Sequence, residues 1–369
     1  VSAHAILHLN SERGWRGGEA QTLFLAAGLA RRGHEVLVVA PPGSPLEERA
    51  RAAGLPFAPL IMRGDWDLVA ARRLAGLLQS RRFDRIHYHT AHAVGIGALA
   101  SLLAGRRPAV AARRVSFPVR GGILGRIKYT FRVDRIIAVS EAIRRSLIER
   151  GADPARVVTV HSGIDVGRFA RGDRARFRAA LAAAGWPPAA PIVGTAGHLA
   201  AHKGMDLFLA AAAEVARGDT SPRFVIVGTG AEEGRLKALA AELGLGDRVL
   251  FAGFRDDMPD VFAGLDVFVL ASHSGEGSPA VLKEAMAAGV PVAATALDGV
   301  GEIIEDARHG LLTPPGDAGA MARAIRTLLE DGSLRARVVP EARRRAGEFS
   351  IDLMVEKTEA VYASLGGVS

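Results

Sequence analysis

The stretch EGSPAVLKEAMAAGVP, residues 276–291, lies between two apolar runs, VFVLAS (267–272) and VPVAAT (290–295), the second overlapping its end. The alternation reads as strand, glycine-bearing loop, short helix and strand. Ser278 is a natural N-cap, and Pro279 suits the first helical position, where a missing N–H costs nothing. Gly289 ends the helix and Pro291 keeps it ended. Strands so apolar and so regularly spaced by helices belong to a parallel sheet covered on both faces. A helix N-terminus leaving the C-terminal edge of such a sheet is a ready anion site. Glu276 stands just before that end and Glu284 one to two turns inside it. Two carboxylates so placed suit hydroxyls attached to a phosphate, as in a sugar nucleotide, better than bare phosphate.

The spacing alone decides nothing. Glu141/Glu149 and Glu348/Glu356 repeat it. The first of these pairs falls on the arginine-rich segment SEAIRRSLIER, an ion-paired solvated face, and the second on a stretch without glycines. Only the middle pair has strand, loop and helix around it. Glycines and a buried strand are what turn two acidic residues into a site.

In that context the segment resembles the E-x7-E region of the retaining glycosyltransferases of family 4, which have the GT-B fold. TALDGVGEII (295–304) and HGLLTPPGD (309–317) continue the resemblance. The resemblance implies that Glu276 contacts the transferred sugar and Glu284 the ribose hydroxyls. Pro279 stands where the family commonly has Gly and removes a backbone donor. Diphosphate contact from Gly277 and Ser278 onward then falls to the N–H groups of Ala280 and Val281. In GHLAAHKGMD (197–206), Lys203 occupies the family's diphosphate lysine and His198 the position of its arginine; His202 is an alternative partner. Imidazole offers one donor in place of a fixed guanidinium fork. Gly17 and Gly18 match the family's Gly-Gly loop, although a tight strand-to-helix turn explains a glycine pair equally well. His92 matches its histidine near the reacting sugar, and Arg255, in GFRDD (253–257), the neighbourhood of the base. VHSGID (160–165) resembles the hinge signature, with Ser162 in the Asn position.

The remainder of the 369-residue chain is consistent with this reading. Hydrophobic residues make up 49% and aromatics only 5%, as expected of Ala-rich helices on Val/Leu strands. Strands read at AILHL, EVLVVAP, RIHYH and RIIAVS in the first half and at PIVGTAGHL, RFVIVG and RVLFAGF in the second. They predict two doubly wound Rossmann-like α/β domains facing a cleft, residues 1–167 and 168–350. The first is to be completed by a C-terminal helix at 351–369, and GWPPAAP (185–191) reads as the clearest linker. No run approaches the roughly 18 apolar residues of a membrane span. The start lacks the basic region of a signal peptide, and there are no cysteines. A cytoplasmic protein is therefore expected.

Charge is unevenly distributed. Residues 1–165 carry 25 Lys and Arg against 13 Asp and Glu, whereas the rest carries 22 against 26. The basic stretch 106–150, with Ile123, Leu124, Ile127 and Phe131 at helical spacing, reads either as a helix packing on its sheet or as a surface for peripheral contact with an anionic membrane. No aromatic platform accompanies the charge, so nucleic acid is not expected. His87, His89 and His92 cluster at a strand end without the carboxylate or cysteine partners of a metal site, and no metal or other cofactor is expected. The expected activity is transfer of a sugar from a UDP-sugar to a glycan or glycolipid acceptor of lipopolysaccharide type. A GT-B epimerase or phosphorylase, or a non-catalytic sugar-nucleotide-binding subunit, are the alternatives.

Overall fold

The structure is a computed structural model that describes residues 3–114, 132–218 and 221–366. Residues 115–131, which hold Ile123, Leu124, Ile127 and Phe131, lie outside the described residues, so the helix-or-membrane reading of that stretch does too.

The chain divides into two compact units, residues 1–163 with 351–369, and residues 164–350. The first holds a seven-stranded sheet of order β3-β2-β1-β4-β5-β6-β7. Its strands are β1 (Ala5–Leu9), β2 (Glu35–Ala40), β3 (Phe57–Pro59), β4 (Arg85–Tyr88), β5 (Ala109–Arg113), β6 (Arg135–Ala138) and β7 (Val157–Thr159). The second holds a six-stranded sheet of order β10-β9-β8-β11-β12-β13. Its strands are β8 (Ile192–Ala196), β9 (Arg223–Val227), β10 (Val249–Phe251), β11 (Val267–Leu270), β12 (Val292–Thr295) and β13 (Leu311–Thr313). The described pairings of both sheets are parallel. These are two doubly wound Rossmann-like sheets, each with its topological switch point beside its first strand.

The period-two alternation of each strand feeds two cores. In β8 and β9, Ile192, Val225 and Val227 enter one apolar cluster, while Val193, Phe224 and Ile226 enter the other. In the first sheet Leu7 and Leu9 face one cluster and Ile6, Val36 and Val38 the other. Both faces are thus dry, which is why the strands read as unbroken apolar runs. The C-terminal helix Ile351–Ala363 packs into the first unit's second cluster through Met354, Val355, Val361 and Tyr362. Gly28, in the helix Gly17–Arg31, lets it approach: a Cβ there would meet Val355 Cγ2 at 2.4 Å. Glu359 fixes the same helix by bonding His34 Nε2 at 2.8 Å and Arg32 Nη1 at 2.6 Å.

Two boundaries differ from the sequence reading. Residues 164–167 group with the second unit, because Ile164 is buried among Phe169 and Phe349 and its N–H donates to the Phe349 carbonyl at 2.8 Å. GWPPAAP lies inside the second unit, joining the helix Arg174–Ala183 to β8. Its prolines stop one element and start the next without separating domains. No helix among the described residues is long and apolar enough to cross a membrane.

Candidate donor-binding site

In the second unit the switch point falls between β8 and β11, so the loops after these strands emerge side by side. After β8 come Gly197, the exposed His198 and a short turn, Ala201–Lys203. Gly204 ends this turn at φ +63° and starts the helix Met205–Val215. A Cβ on Gly204 would stand 1.8 Å from the Ala271 carbonyl oxygen. Glycine is required there by conformation and by contact, and it lets the turn lie against the end of β11. His202 completes the junction, its carbonyl accepting the His273 N–H at 2.9 Å.

This junction brings Lys203 to Glu276. Lys203 Nζ donates to Glu276 Oε1 at 2.7 Å, and Ser272 Oγ donates to the same oxygen at 2.5 Å. Ser272 is fully buried and Glu276 nearly so, while Lys203 is partly exposed. Ser272 is held in turn by Thr295 Oγ1, which donates to its carbonyl at 2.7 Å. A carboxylate this buried needs such partners, because an unpaired one would be strongly destabilising. Gly299, in TALDGVGEII, closes the back of the loop: a Cβ there would fall 2.2 Å from the Glu276 carbonyl oxygen and 2.3 Å from that of Gly277. Ser272 carried no signal in the sequence beyond its place at the end of an apolar run.

The helix begins one residue later than the sequence reading placed it. It spans Ala280–Ala288, with Pro279 as the N-cap in an extended conformation (φ −63°, ψ 110°) and no side chain capping that end. Ser278 is not the cap: it stands one residue before the cap position, and its Oγ accepts a hydrogen bond from Lys283 Nζ at 2.9 Å. Among the described residues, no side chain accepts from the first N–H groups, those of Ala280 and Val281. Gly289 ends the helix at φ +77°. Glu284 is half-buried, and burial pushes its carboxyl up to about 7 although Lys283 and Arg168 pull the other way. Arg255 has partners of its own. Its Nε donates to Asp257 Oδ1 at 2.8 Å and its guanidinium lies 5.4 Å over the Phe177 ring. Beside it Phe254 is 58% exposed, an unusual exposure for an aromatic on a strand-end loop.

In the first unit, Gly17 opens its helix with nothing within 4 Å of the point a Cβ would occupy, and a Cβ on Gly18 would meet only Arg114 Cδ at 3.9 Å. Neither has a positive φ. Among the described residues of the unit, neither a tight turn nor packing demands glycine there. His92, in the first turn of the helix Ala91–Ala104, is half-exposed, and its Nδ1 bonds Asp65 Oδ1 at 2.5 Å. This pairing fixes the ring and directs Nε2 outward from Asp65. VHSGID carries no turn but an isolated bridge from Ile164 to Ser350: Gln21 clamps Gly163 by both backbone groups, at 2.9 and 2.7 Å, and Asp165 caps Val166–Phe169 by accepting from Arg168 N–H at 2.9 Å.

His87 and His89 are joined not by His92 but by His8, across the β1–β4 register. All three are buried. His8 Nδ1 lies 2.9 Å from His89 Nε2, His87 Nδ1 lies 2.6 Å from the Tyr362 hydroxyl, and Arg114 donates to His89 Nδ1 at 3.1 Å. The rings stack within 10–24° of parallel at 4.3–5.7 Å. His8 Nδ1 and His89 Nε2 are taken by each other, His87 Nδ1 by Tyr362 and His89 Nδ1 by Arg114, whose half-buried guanidinium adds charge of the wrong sign for a cation. Burial pushes His8 down to about 3 and the other two well below the ordinary histidine value.

Residues 15–168 match the family described as "Glycosyltransferase Family 4", and residues 178–345 that described as "Glycosyl transferases group 1". The phosphatidyl-myo-inositol mannosyltransferase of Mycolicibacterium smegmatis is 30% identical over 367 residues, covering 95% of this chain and 91% of that protein. The chain belongs to glycosyltransferase family 4. Another relative, the D-inositol 3-phosphate glycosyltransferase of Salinispora arenicola, is 33% identical over 302 residues. That match covers 78% of this chain but only 65% of the relative's own length. Among solved structures, Anabaena HepE in complex with UDP-glucose superposes with a TM-score of 0.88 at 24% identity, covering 98% of this chain and 100% of that one. WaaG, a glycosyltransferase involved in lipopolysaccharide biosynthesis, gives 0.74 at 18%, with 98% and 100% covered. These likenesses establish the GT-B fold.

Proposed function

We propose that this family 4 chain is a retaining glycosyltransferase that takes a sugar from a nucleoside-diphosphate donor, a UDP-sugar by preference. The observation that carries the reading is the Lys203–Glu276–Ser272 cluster at the switch point, followed at once by an uncapped helix end. Open N–H groups and a lysine supply positive potential for a diphosphate. A buried, oriented carboxylate supplies acceptors for sugar hydroxyls, and Glu284 acceptors for a ribose. HepE, solved with UDP and with UDP-glucose, supports the choice of base.

In the proposed reaction the bond from the anomeric carbon to the diphosphate oxygen breaks and a bond from that carbon to the acceptor oxygen forms on the same face. The acceptor proton passes to the departing phosphate oxygen. Lys203, whose ammonium is held by Glu276 before donor arrives, steadies the leaving diphosphate, with His198 beside it. Gly277, Ser278, Ala280, Val281 and Arg255 remain donor contacts in this reading; Gly17, Gly18 and His92 keep the roles that the resemblance implies. No chemical step calls on a metal or cofactor.

The acceptor we favour is a glycan or glycolipid of the cell envelope, of lipopolysaccharide type, with peripheral contact to an anionic membrane. Relatives named for inositol 3-phosphate and phosphatidyl-myo-inositol add an inositol phosphate as a second acceptor class. A nucleotide-release screen over UDP-, GDP- and ADP-sugars, with both acceptor classes and with Glu284→Ala as control, tests the reading. Release from a UDP-sugar that requires an acceptor and is lost in the control supports it. Donor binding without turnover under every condition would favour a binding subunit instead.

A further inference from the structure

Lys283 has no exposed surface. It is the fourth residue of the helix Ala280–Ala288, so its ammonium belongs to the first turn, and the residues beside it, Leu282, Ala285 and Met286, are core residues. Nζ donates to Ser278 Oγ at 2.9 Å and lies 4.9 Å from the centre of the Phe349 ring, which has the Arg345 guanidinium 4.9 Å away as well. This placement carries two penalties. Burying an ammonium costs several kcal/mol even after relaxation, and a cation at a helix N-terminus opposes the helix dipole. A methionine of similar length would avoid both. What the lysine does in return is hold the Ser278 hydroxyl, one residue before the N-cap Pro279, and place its amino group, positive when protonated, behind the helix's first N–H groups.

We propose that Lys283 is a positioning residue for the donor diphosphate: by holding Ser278 it fixes the loop just before the helix end, and its charge strengthens the field that the phosphates meet. This role rests on the donor-site reading above. Among the charged groups near the lysine are Glu284 on the same helix, which Arg168 from the helix Val166–Phe169 also acts on, and Arg345 from the helix Gly332–Gly347, which shares the Phe349 ring. Burial pushes Lys283 down to about 7, with Glu284 pulling upward. A bound diphosphate favours the ammonium, so donor binding near neutral pH takes up protons.

The test is calorimetric titration of UDP and GDP, with uridine and guanosine as phosphate-free probes, into the wild type, Lys283→Met and Glu284→Gln, together with thermal denaturation. The expected result is that Lys283→Met binds the diphosphate about tenfold or more weaker, leaves nucleoside binding unchanged and does not lower Tm. Wild type and Glu284→Gln take up protons at pH 7.5, as read from buffers of different ionisation enthalpy, and Lys283→Met does not. Equal diphosphate affinity in Lys283→Met, or parallel loss of nucleoside binding and Tm, would overturn the proposal. If that variant fails to fold, absence of proton uptake in wild type and in Glu284→Gln overturns it independently. A wild type that binds neither UDP nor GDP removes the donor-site reading itself, a distinct outcome.

Discussion

Lowering the pH should unfold the first unit through its buried histidines. His8, His87 and His89 are 0%, 1% and 4% exposed and stay neutral in the folded unit, whereas in an unfolded chain each titrates near its ordinary value. The unfolded state therefore binds more protons, and stability falls as the pH drops below about 6.5. For His8 the loss continues down to its folded value of about 3. Between pH 7.5 and 5.0, a histidine kept neutral in the native state and titrating near 6.5 when unfolded loses about 2 kcal/mol, so the three together lose about 6 kcal/mol. That is comparable to the whole stability of a typical domain. The assay is urea unfolding followed by tryptophan fluorescence in a Trp186→Phe background, so that Trp15 and Trp66 report the first unit. His8→Gln should remove one histidine's share, making the stability loss over this range smaller by about 2 kcal/mol. The wild-type-minus-variant difference cancels other titrating groups, including Glu19, whose carboxyl burial raises. An identical pH dependence in the two proteins would mean that His8 charges in the folded state, and the mechanism would fail.

The junction of the donor site gives two further expectations. Gly204→Ala, with φ +63° and a Cβ 1.8 Å from the Ala271 carbonyl, should lower stability by more than about 2 kcal/mol, read as a fall in the second unit's Tm; an unchanged Tm would contradict the close approach. Lys203→Met removes an ion-pair partner from the nearly buried Glu276 and should cost about 1–3 kcal/mol of stability while raising the donor KM about tenfold or more. A change in kcat alone would place Lys203 outside donor binding.

Much of this arrangement was legible in the sequence because its strands are buried on both faces and bounded by glycine. VFVLAS and PIVGTAGHL announce β11 and β8, the two strands between which the switch point falls and after which Glu276 and Lys203 meet. Two edge strands were not legible: β3 is the three-residue FAP and β13 the three-residue LLT, without the longer apolar run that marks the equally short edge strand β10 within RVLFAGF. Ser278 was read as the cap from its type and place, but no local pattern reveals that a lysine five residues on is buried against it. The histidine cluster was missed for a related reason. His8 and His87 are 79 residues apart, and only the parallel register sets them side by side. Side-chain partners of this kind, like Asp65 for His92 or Ser272 for Glu276, depend on tertiary contact and leave no spacing to read.

In the proposed reaction Glu276, released from Lys203 when donor arrives, acts on the transferred sugar. Substituting Glu276→Gln and measuring sugar transfer alongside UDP affinity tests this most directly. Transfer should fall by about a thousandfold while UDP binds as tightly as before or tighter, because Lys203 no longer has a carboxylate to leave. Transfer at the wild-type rate, or a loss of UDP affinity as large as the loss of transfer, would contradict that role for Glu276.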